Sequence, residues 1–187
     1  MKNKQAAPIS SSKLFDKGLV EVFTGDGKGK TSAALGIVLR ALGHNLRVHI
    51  IYFMKGSYPY GEREILSQFP NISLSSFGQD YFCDPANVKP EEQEQAKRGL
   101  AKAREVIFSG NYDVVVLDEI NVAVAWKLLG VDEVIELIKN KPKNVELILT
   151  GRCADARLIN AADLVTEMVK VKHPYDKGIP AREGIDY

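Results

Sequence analysis

The stretch Val20-Glu21-Val22-Phe23-Thr24-Gly25-Asp26-Gly27-Lys28-Gly29-Lys30-Thr31-Ser32 decides the fold of this chain. It reads as a strand, a glycine-dense turn and the start of a helix. Such a turn lays backbone N–H groups at a helix N-terminus, where the partial positive charge of the helix favours an anion. Lys30 can reach the outer phosphates of a nucleotide, and the Thr31 hydroxyl is placed to ligate Mg²⁺. The pattern G-x-x-x-x-G-K-[ST] asks for glycine where this chain has Thr24, and the glycines fall at 25, 27 and 29 instead. The loop is still glycine-rich enough for its backbone to approach phosphate closely. A glycine-rich turn can also be a plain strand-to-helix connection. With strand, helix, lysine and threonine all present, a nucleoside triphosphate is the predicted ligand.

Elements alternate on either side of this motif. Apolar runs predict strands over 19–24, 48–53, 72–77, 114–117, 145–150 and 164–171. Helical spacing predicts helices over 30–42, 62–69, 90–109, 122–129, 132–140 and 154–160, with Gly43 stopping the first and Pro90 opening the third. An α/β alternation of this kind predicts a mostly parallel central sheet with helices on both faces. Ligands of such sheets sit outside the carboxyl ends of the strands. That rule gathers the phosphate loop, the 53–58 loop, the 78–89 loop, Asp118-Glu119 and Gly151-Arg152 on one rim.

The 187 residues are enough for one domain with a real core, expected over 18–187 behind a flexible segment 1–17. A net charge of +1 gives no overall field toward nucleic acid or an anionic membrane, so neither is an expected partner. No apolar run approaches the ~20 residues of a membrane span, and residues 1–17 lack the apolar middle of a secretory signal. Cys83 and Cys153 are far apart and form no C-x-x-C pair. Two reduced, partly buried thiols in a cytoplasmic protein are the expectation.

Further chemistry is carried by a few groups. Val114-Val115-Val116-Leu117-Asp118-Glu119 is an apolar strand ending in acid, which brings a carboxylate to Mg²⁺ beside the phosphates. One of the two carboxylates would bind the metal and the other a metal-bound water or an activating partner; a strand-end pair capping the next helix is the plainer reading. Arg152 follows a strand end and a glycine, a position suited to a phosphate clamp. Arg40, in the first helix, reads equally well as a surface residue. Tyr81 and Phe82 sit in the 78–89 loop, as an apolar lid on a large flat ligand or as a plug on the sheet edge. Trp126 reads as core, at helical spacing with Val122 and Leu129.

Taken in order, Phe23-Thr24-Gly25-Asp26-Gly27-Lys28-Gly29-Lys30-Thr31-Ser32-Ala33-Ala34, Phe53-Met54-Lys55-Gly56, Gly61-Glu62, Leu117-Asp118-Glu119, Thr150-Gly151-Arg152, Val171-Lys172-His173 and Gly184-Ile185-Asp186-Tyr187 resemble the P-loop ATP:corrinoid adenosyltransferases. The resemblance runs from about residue 18 to the end, and threonine at position 24 is normal within that family. It implies a RecA-like P-loop NTPase fold. It also implies that the 5′-deoxyadenosyl group of ATP passes to Co(I) of a corrinoid such as cobalamin, with triphosphate as the leaving group. ATP would bind with its γ-phosphate where most P-loop enzymes hold the α-phosphate.

Residue roles follow from the same resemblance. The loop from Thr24 to Ser32, with Lys28 and Lys30, would hold the triphosphate, and Lys30 would stabilise its growing charge. Thr31 and Glu119 would ligate Mg²⁺, with Asp118 orienting the site. Arg152 and Arg40 would neutralise phosphate oxygens. Phe82, with Tyr81, would press on the lower corrin face and exclude an axial ligand, although this loop departs from the Phe-x-Trp form of some members. A homodimer and a flavodoxin-like reductant are implied as partners. Two other readings stay open from the residues alone: another P-loop kinase or NTPase, and a non-catalytic ATP-binding module of a nucleic-acid machine.

Overall fold

A computed structural model describes residues 16–81 and 83–187 of the chain. Phe82 and all but the last two residues of the expected flexible segment 1–17 lie outside the described residues. Six strands form one sheet: β1 (Val20–Thr24), β2 (Val48–Tyr52), β3 (Ile72–Ser76), β4 (Val114–Asp118), β5 (Glu146–Thr150) and β6 (Leu164–Glu167). Their spatial order is β3-β2-β4-β5-β1-β6, and every pairing is parallel. The helices are α1 (Lys30–Gly43), α2 (Gly61–Leu66), α3 (Pro90–Phe108), α4 (Ile120–Ala125), α5 (Val131–Asn140) and α6 (Ala156–Ala161). A short 3₁₀ turn, Pro174–Lys177, lies in the C-terminal tail.

The sheet is buried on both faces, as parallel sheets must be. Every residue of β2, β4 and β5 is buried, which matches their continuous apolar runs. On one face, Ala34, Val38, Ala41 and Leu42 of α1 pack with Phe23, Ile50, Val116 and Ile148. On the other, α3 to α6 pack over Val22, Ile51, Val115, Leu117, Leu147 and Leu149. The expected α/β architecture is therefore present, and wholly parallel.

One local expectation is refined and two are corrected. Helix α1 ends at Gly43 as expected, but the left-handed residue that closes it is Asn45 (φ 59°), with Leu46 N–H donating to Ala41 O at 2.9 Å. Strand β6 ends at Glu167 and not at Val171, because the chain then turns toward the phosphate loop and the Met168 carbonyl accepts from Gly27 N–H at 2.6 Å. Trp126 is half-buried at the end of α4, packing on the margin of the core and not within it.

Candidate functional site

The turn between β1 and α1 is shaped by its glycines. Gly25 has φ 95°, and a Cβ there would come within 2.5 Å of the Met168 carbonyl oxygen. Any other residue would be both strained and in collision. Gly27 spends its N–H on Met168. The N–H groups of residues 25, 26 and 28–31 make no hydrogen bond to a described residue and gather at the start of α1. That arrangement is the anion cradle of a helix N-terminus. The Lys30 ammonium curls under the loop and donates to Gly25 O and Gly27 O, both at 2.7 Å. Burial, and then the nearby Arg152, lower its pKa from the ordinary lysine value. Incoming phosphate would give this half-desolvated cation a better partner than two neutral carbonyls.

Thr24 now has a reason of its own. It remains in β1, and its hydroxyl accepts from Ala154 N–H at 3.2 Å, tying the loop to the segment after β5. Glycine could not supply that oxygen.

Strand β4 delivers Asp118 to the same corner, 1% exposed. Its Oδ1 accepts from Thr31 Oγ1 at 2.9 Å and from Thr150 Oγ1 at 2.7 Å. Its Oδ2 accepts from Lys55 Nζ at 2.5 Å. Glu119 follows in a left-handed conformation (φ 65°) that turns the chain into α4, and its N–H donates to Thr150 Oγ1 at 3.0 Å. Burial, and then the adjacent Asp118 charge, raise the Glu119 pKa; Lys55, Lys30 and Arg152 pull the other way. A divalent cation here would favour the charged form of Glu119. The donors at hand are a hydroxyl and carboxylate oxygens, which suit a hard ion such as Mg²⁺ that keeps waters and phosphate oxygens in its remaining positions. Thr31 and Glu119 therefore fit such an ion, while Asp118 is already engaged with three partners.

The other expected residues are distributed unevenly. Arg152 stands exposed after β5, close enough to influence both Lys30 and Glu119 electrostatically. Asn121, fully buried, donates to Gly151 O at 3.2 Å and Phe23 O at 3.4 Å and so joins the ends of β5 and β1. Asp26, Lys28 and Ser32 are exposed on or beside the loop. Lys28 bonds to Ile185 O at 3.0 Å and ion-pairs with Asp186, so the C-terminal tail lies against the loop. Arg40 is carried to the last turn of α1, about 15 Å along the axis from Lys30. The fold does not bring it to the phosphate loop of its own chain.

On the neighbouring side of the rim, Gln79 and Tyr81 rest on the N-terminal end of α3. Tyr81 is 43% exposed; its hydroxyl donates to Glu91 Oε1 at 3.3 Å, and Lys89 Nζ lies 4.4 Å from its ring centre. It neither plugs the sheet edge nor enters the core. Cys83 is half-buried, and burial with Glu92 beside it pushes its thiol up to about 11. Cys153 is exposed, against the expectation of a partly buried thiol. A cavity of about 550 Å³ lies between α3, the α4–α5 turn and the segment after β5, lined by Gln93, Lys97, Leu128 and Cys153. It borders the rim without including the phosphate loop.

Sequence reading missed Thr150 and Lys55 as members of the acidic corner. Thr150 carried a signal as the polar end of an apolar strand. Lys55 carried none beyond its place in a family motif, since a lysine after a strand is ordinarily a solvated surface residue.

Fold and site together define an α/β protein of RecA-like fold with a glycine-rich anion cradle at the start of α1. Residues 16–187 match the family of ATP:corrinoid adenosyltransferases BtuR/CobO/CobP. The chain belongs to that family. Proteins named corrinoid adenosyltransferase are similar to it throughout. The one from a Sinorhizobium species is 35% identical, covering 100% of this chain and 89% of its own. That of Escherichia coli K12 is 34% identical, covering 92% and 87%. That of Salmonella typhimurium LT2 is 35% identical, with the same two coverages.

Proposed function

We propose that the protein transfers the 5′-deoxyadenosyl group of ATP to the Co(I) centre of a corrinoid and releases triphosphate. The observation that carries the reading is the Thr31–Asp118 hydrogen bond of 2.9 Å, which joins the phosphate cradle to the acidic end of β4 in a chain of this family. The cobalt lone pair attacks the ribose C5′ carbon. A cobalt–carbon bond forms, the C5′–O bond breaks, and its electron pair leaves on the triphosphate. The chain supplies no nucleophile; it positions ATP and stabilises charge on the leaving group. The free N–H groups of the loop, Lys30, Lys28 and Arg152 do the latter. Thr31 Oγ1 and the Glu119 carboxylate would hold Mg²⁺, which adds positive charge to the departing phosphates. Asp118 keeps Thr31 in place.

The corrinoid would face the 77–83 loop, with Tyr81 and Phe82 toward its lower face. Apolar side chains there would keep water and other ligands off Co(II) and so ease its reduction. A homodimer, a flavodoxin-like electron donor and a cytoplasmic setting belong to this reading by family alone. Among the described residues no helix is long and apolar enough to cross a membrane.

The test is anaerobic incubation with ATP, Mg²⁺ and chemically reduced Co(I) cobalamin, following the corrinoid spectrum and the inorganic product together. A light-sensitive cobalt–carbon product with one triphosphate per turnover is the expected result. ADP and phosphate without a spectral change would instead make the protein a phosphoryl-transferring P-loop enzyme.

A further inference from the structure

Lys55 is a buried cation that the reaction scheme does not use. Its side chain is 10% exposed and its ammonium forms an ion pair with Asp118 Oδ2 at 2.5 Å. The Tyr60 ring centre is 4.6 Å from the same nitrogen and that of Tyr52 5.6 Å, so aromatic faces enclose the remaining side of the charge. Burial alone would lower the lysine pKa; the charge and hydrogen bond of Asp118 more than offset it and hold the group above its ordinary value.

The backbone around Lys55 is fixed with unusual care. Phe53 N–H donates to Asp118 O at 2.9 Å, and Lys55 N–H to Phe77 O at 3.2 Å. Met54 is held left-handed (φ 60°). Gly78 (φ 135°) packs so closely that a Cβ there would lie 2.8 Å from Lys55 N. The Gly56 carbonyl accepts from Ser76 Oγ at 2.6 Å and Arg63 Nη1 at 3.1 Å. A left-handed non-glycine residue beside a backbone contact of this closeness marks a segment whose exact course is constrained. What the constraint achieves is the aim of one side chain: Lys55 points back across β4 to Asp118.

We propose that Lys55 is a positioning residue for the nucleotide site. It compensates the buried carboxylate of Asp118, next to half-buried Glu119, and fixes Asp118 Oδ2. The other oxygen, Oδ1, then stays turned toward Thr31 and Thr150. Without Lys55, the Asp118 charge loses its partner beside Glu119 and the triphosphate, and Asp118 is free to rotate away from Thr31. Because Lys55 is consumed by Asp118 and screened by Tyr52 and Tyr60, it acts on ATP through Asp118 and not by touching phosphate. The proposal rests on the reading of the phosphate loop as the ATP site.

The experiment is calorimetric titration of the corrinoid-free protein with MgATP, for wild type, Lys55→Met, Asp118→Asn and the double variant, with Lys30→Ala as the control on the site. Lys55→Met is expected to weaken MgATP about 10- to 100-fold. In the double variant the Asp118 charge is removed together with its partner, and an amide oxygen still accepts from Thr31. Binding there should return to within about fivefold of wild type, a non-additive rescue that contact energies between independent residues do not give. Wild-type affinity in Lys55→Met, or a double variant no better than Lys55→Met, overturns the proposal. The double variant decides the matter even where Lys55→Met does not fold, since its folding with near-normal affinity supports the proposal and its folding without affinity refutes it. Unchanged binding in Lys30→Ala would instead refute the phosphate site itself. In turnover, the Lys55→Met loss should fall on KM for ATP with KM for the corrinoid unmoved, a split that general loosening of the fold would not produce.

Discussion

The two halves of the rim are held in different ways. Around the phosphate loop, β4 and β5 arrive fully buried and β1 nearly so, and side chains cross-link their ends: Thr31 and Thr150 on Asp118, Asn121 on Phe23 and Gly151, Thr24 on Ala154. The other half hangs from β3, an edge strand with no fully buried residue and serines at 73, 75 and 76. Its loop is fastened by surface contacts, Ser57 to Asp80 and Tyr81 to Glu91. A small, highly charged ligand is served by donors fixed before it arrives, because they cost no reorganisation when charge develops. A large, flat ligand is served by a margin that can adjust.

The harshest way to break the stiff half is Lys30→Ala. It removes the cation that lies under the loop and would meet the triphosphate. Turnover should fall about 10²- to 10³-fold, the usual loss for one preorganised donor to a developing oxyanion. The folded state should survive, since the Lys30 bonds are to loop carbonyls and not to the core. Rapid-quench measurement of triphosphate release checks the first statement and thermal melting the second. Turnover within about threefold of wild type would mean that the leaving group is stabilised elsewhere.

The soft margin has a weakness toward acid. His49 of β2 is 3% exposed, with Ser73 Oγ 2.6 Å and Ser75 Oγ 3.1 Å from its ring nitrogens and Tyr112 edge-on at 5.0 Å. Burial, with Lys102 adding to it and Glu105 opposing, pushes its pKa down to about 4. An unfolded histidine titrates near 6.5. Between those values the unfolded chain binds a proton that the folded chain refuses. Stability is therefore complete above about pH 6.5 and declines as pH falls toward 4. The loss is about 3 kcal/mol, roughly a hundredfold in the folding equilibrium. Urea unfolding at pH 7 and pH 4.5 should show a smaller pH-dependent loss for His49→Gln than for wild type. Equal losses would place the acid sensitivity in the carboxylates instead.

A milder contrast separates the halves by substrate. Phe82→Ala is expected to slow turnover from Co(II) corrinoid about tenfold while leaving turnover from pre-reduced Co(I) within about twofold. That is a barrier difference of roughly 1.4 kcal/mol. MgATP affinity should be unmoved. Equal losses from both oxidation states would remove the lower-face role and leave the loop as a general binding element.

The same division explains what could be read before the fold was known. Strand, glycines, Lys30 and Thr31 are neighbours in sequence, so their chemistry is written locally. Asp118 and Arg152 were legible as polar ends of apolar strands, once the parallel-sheet rule had put those ends on one rim. The strand order β3-β2-β4-β5-β1-β6 was not legible, because packing between distant segments decides it. Nor was the use of the Met168 carbonyl to hold Gly27, which needed β6 to lie beside β1. Lys55 and Asp118 are 63 residues apart, and only the left-handed turn at Met54 and the closeness of Gly78 aim one at the other. Tyr81 and Phe82 stood in an irregular loop, where periodicity carries no information.

The smallest expected effect concerns a place where the surface reaches into the stiff half. Lys28, exposed on the phosphate loop, pairs with Asp186 and Ile185 O, while Arg182 Nε holds the other side of Asp186 at 3.0 Å. The tail thus presents a carboxylate to a loop cation that the triphosphate also needs. Two opposite consequences are conceivable on electrostatic grounds: the tail holds Lys28 ready, or it competes for it. Competition is the stronger argument, because a carboxylate beside the cradle repels ATP whatever the lysine does, and Arg182 keeps Asp186 from turning aside. Exposed pairs of this kind are weak and screened by salt. Asp186→Asn should therefore tighten MgATP by about threefold at low ionic strength and by less at 0.5 M salt, roughly the range over which such pairs fade. Weaker binding in Asp186→Asn would reverse the assignment and make the C-terminal tail a working part of the phosphate site, adding a surface-held element to the half that is otherwise fixed from within.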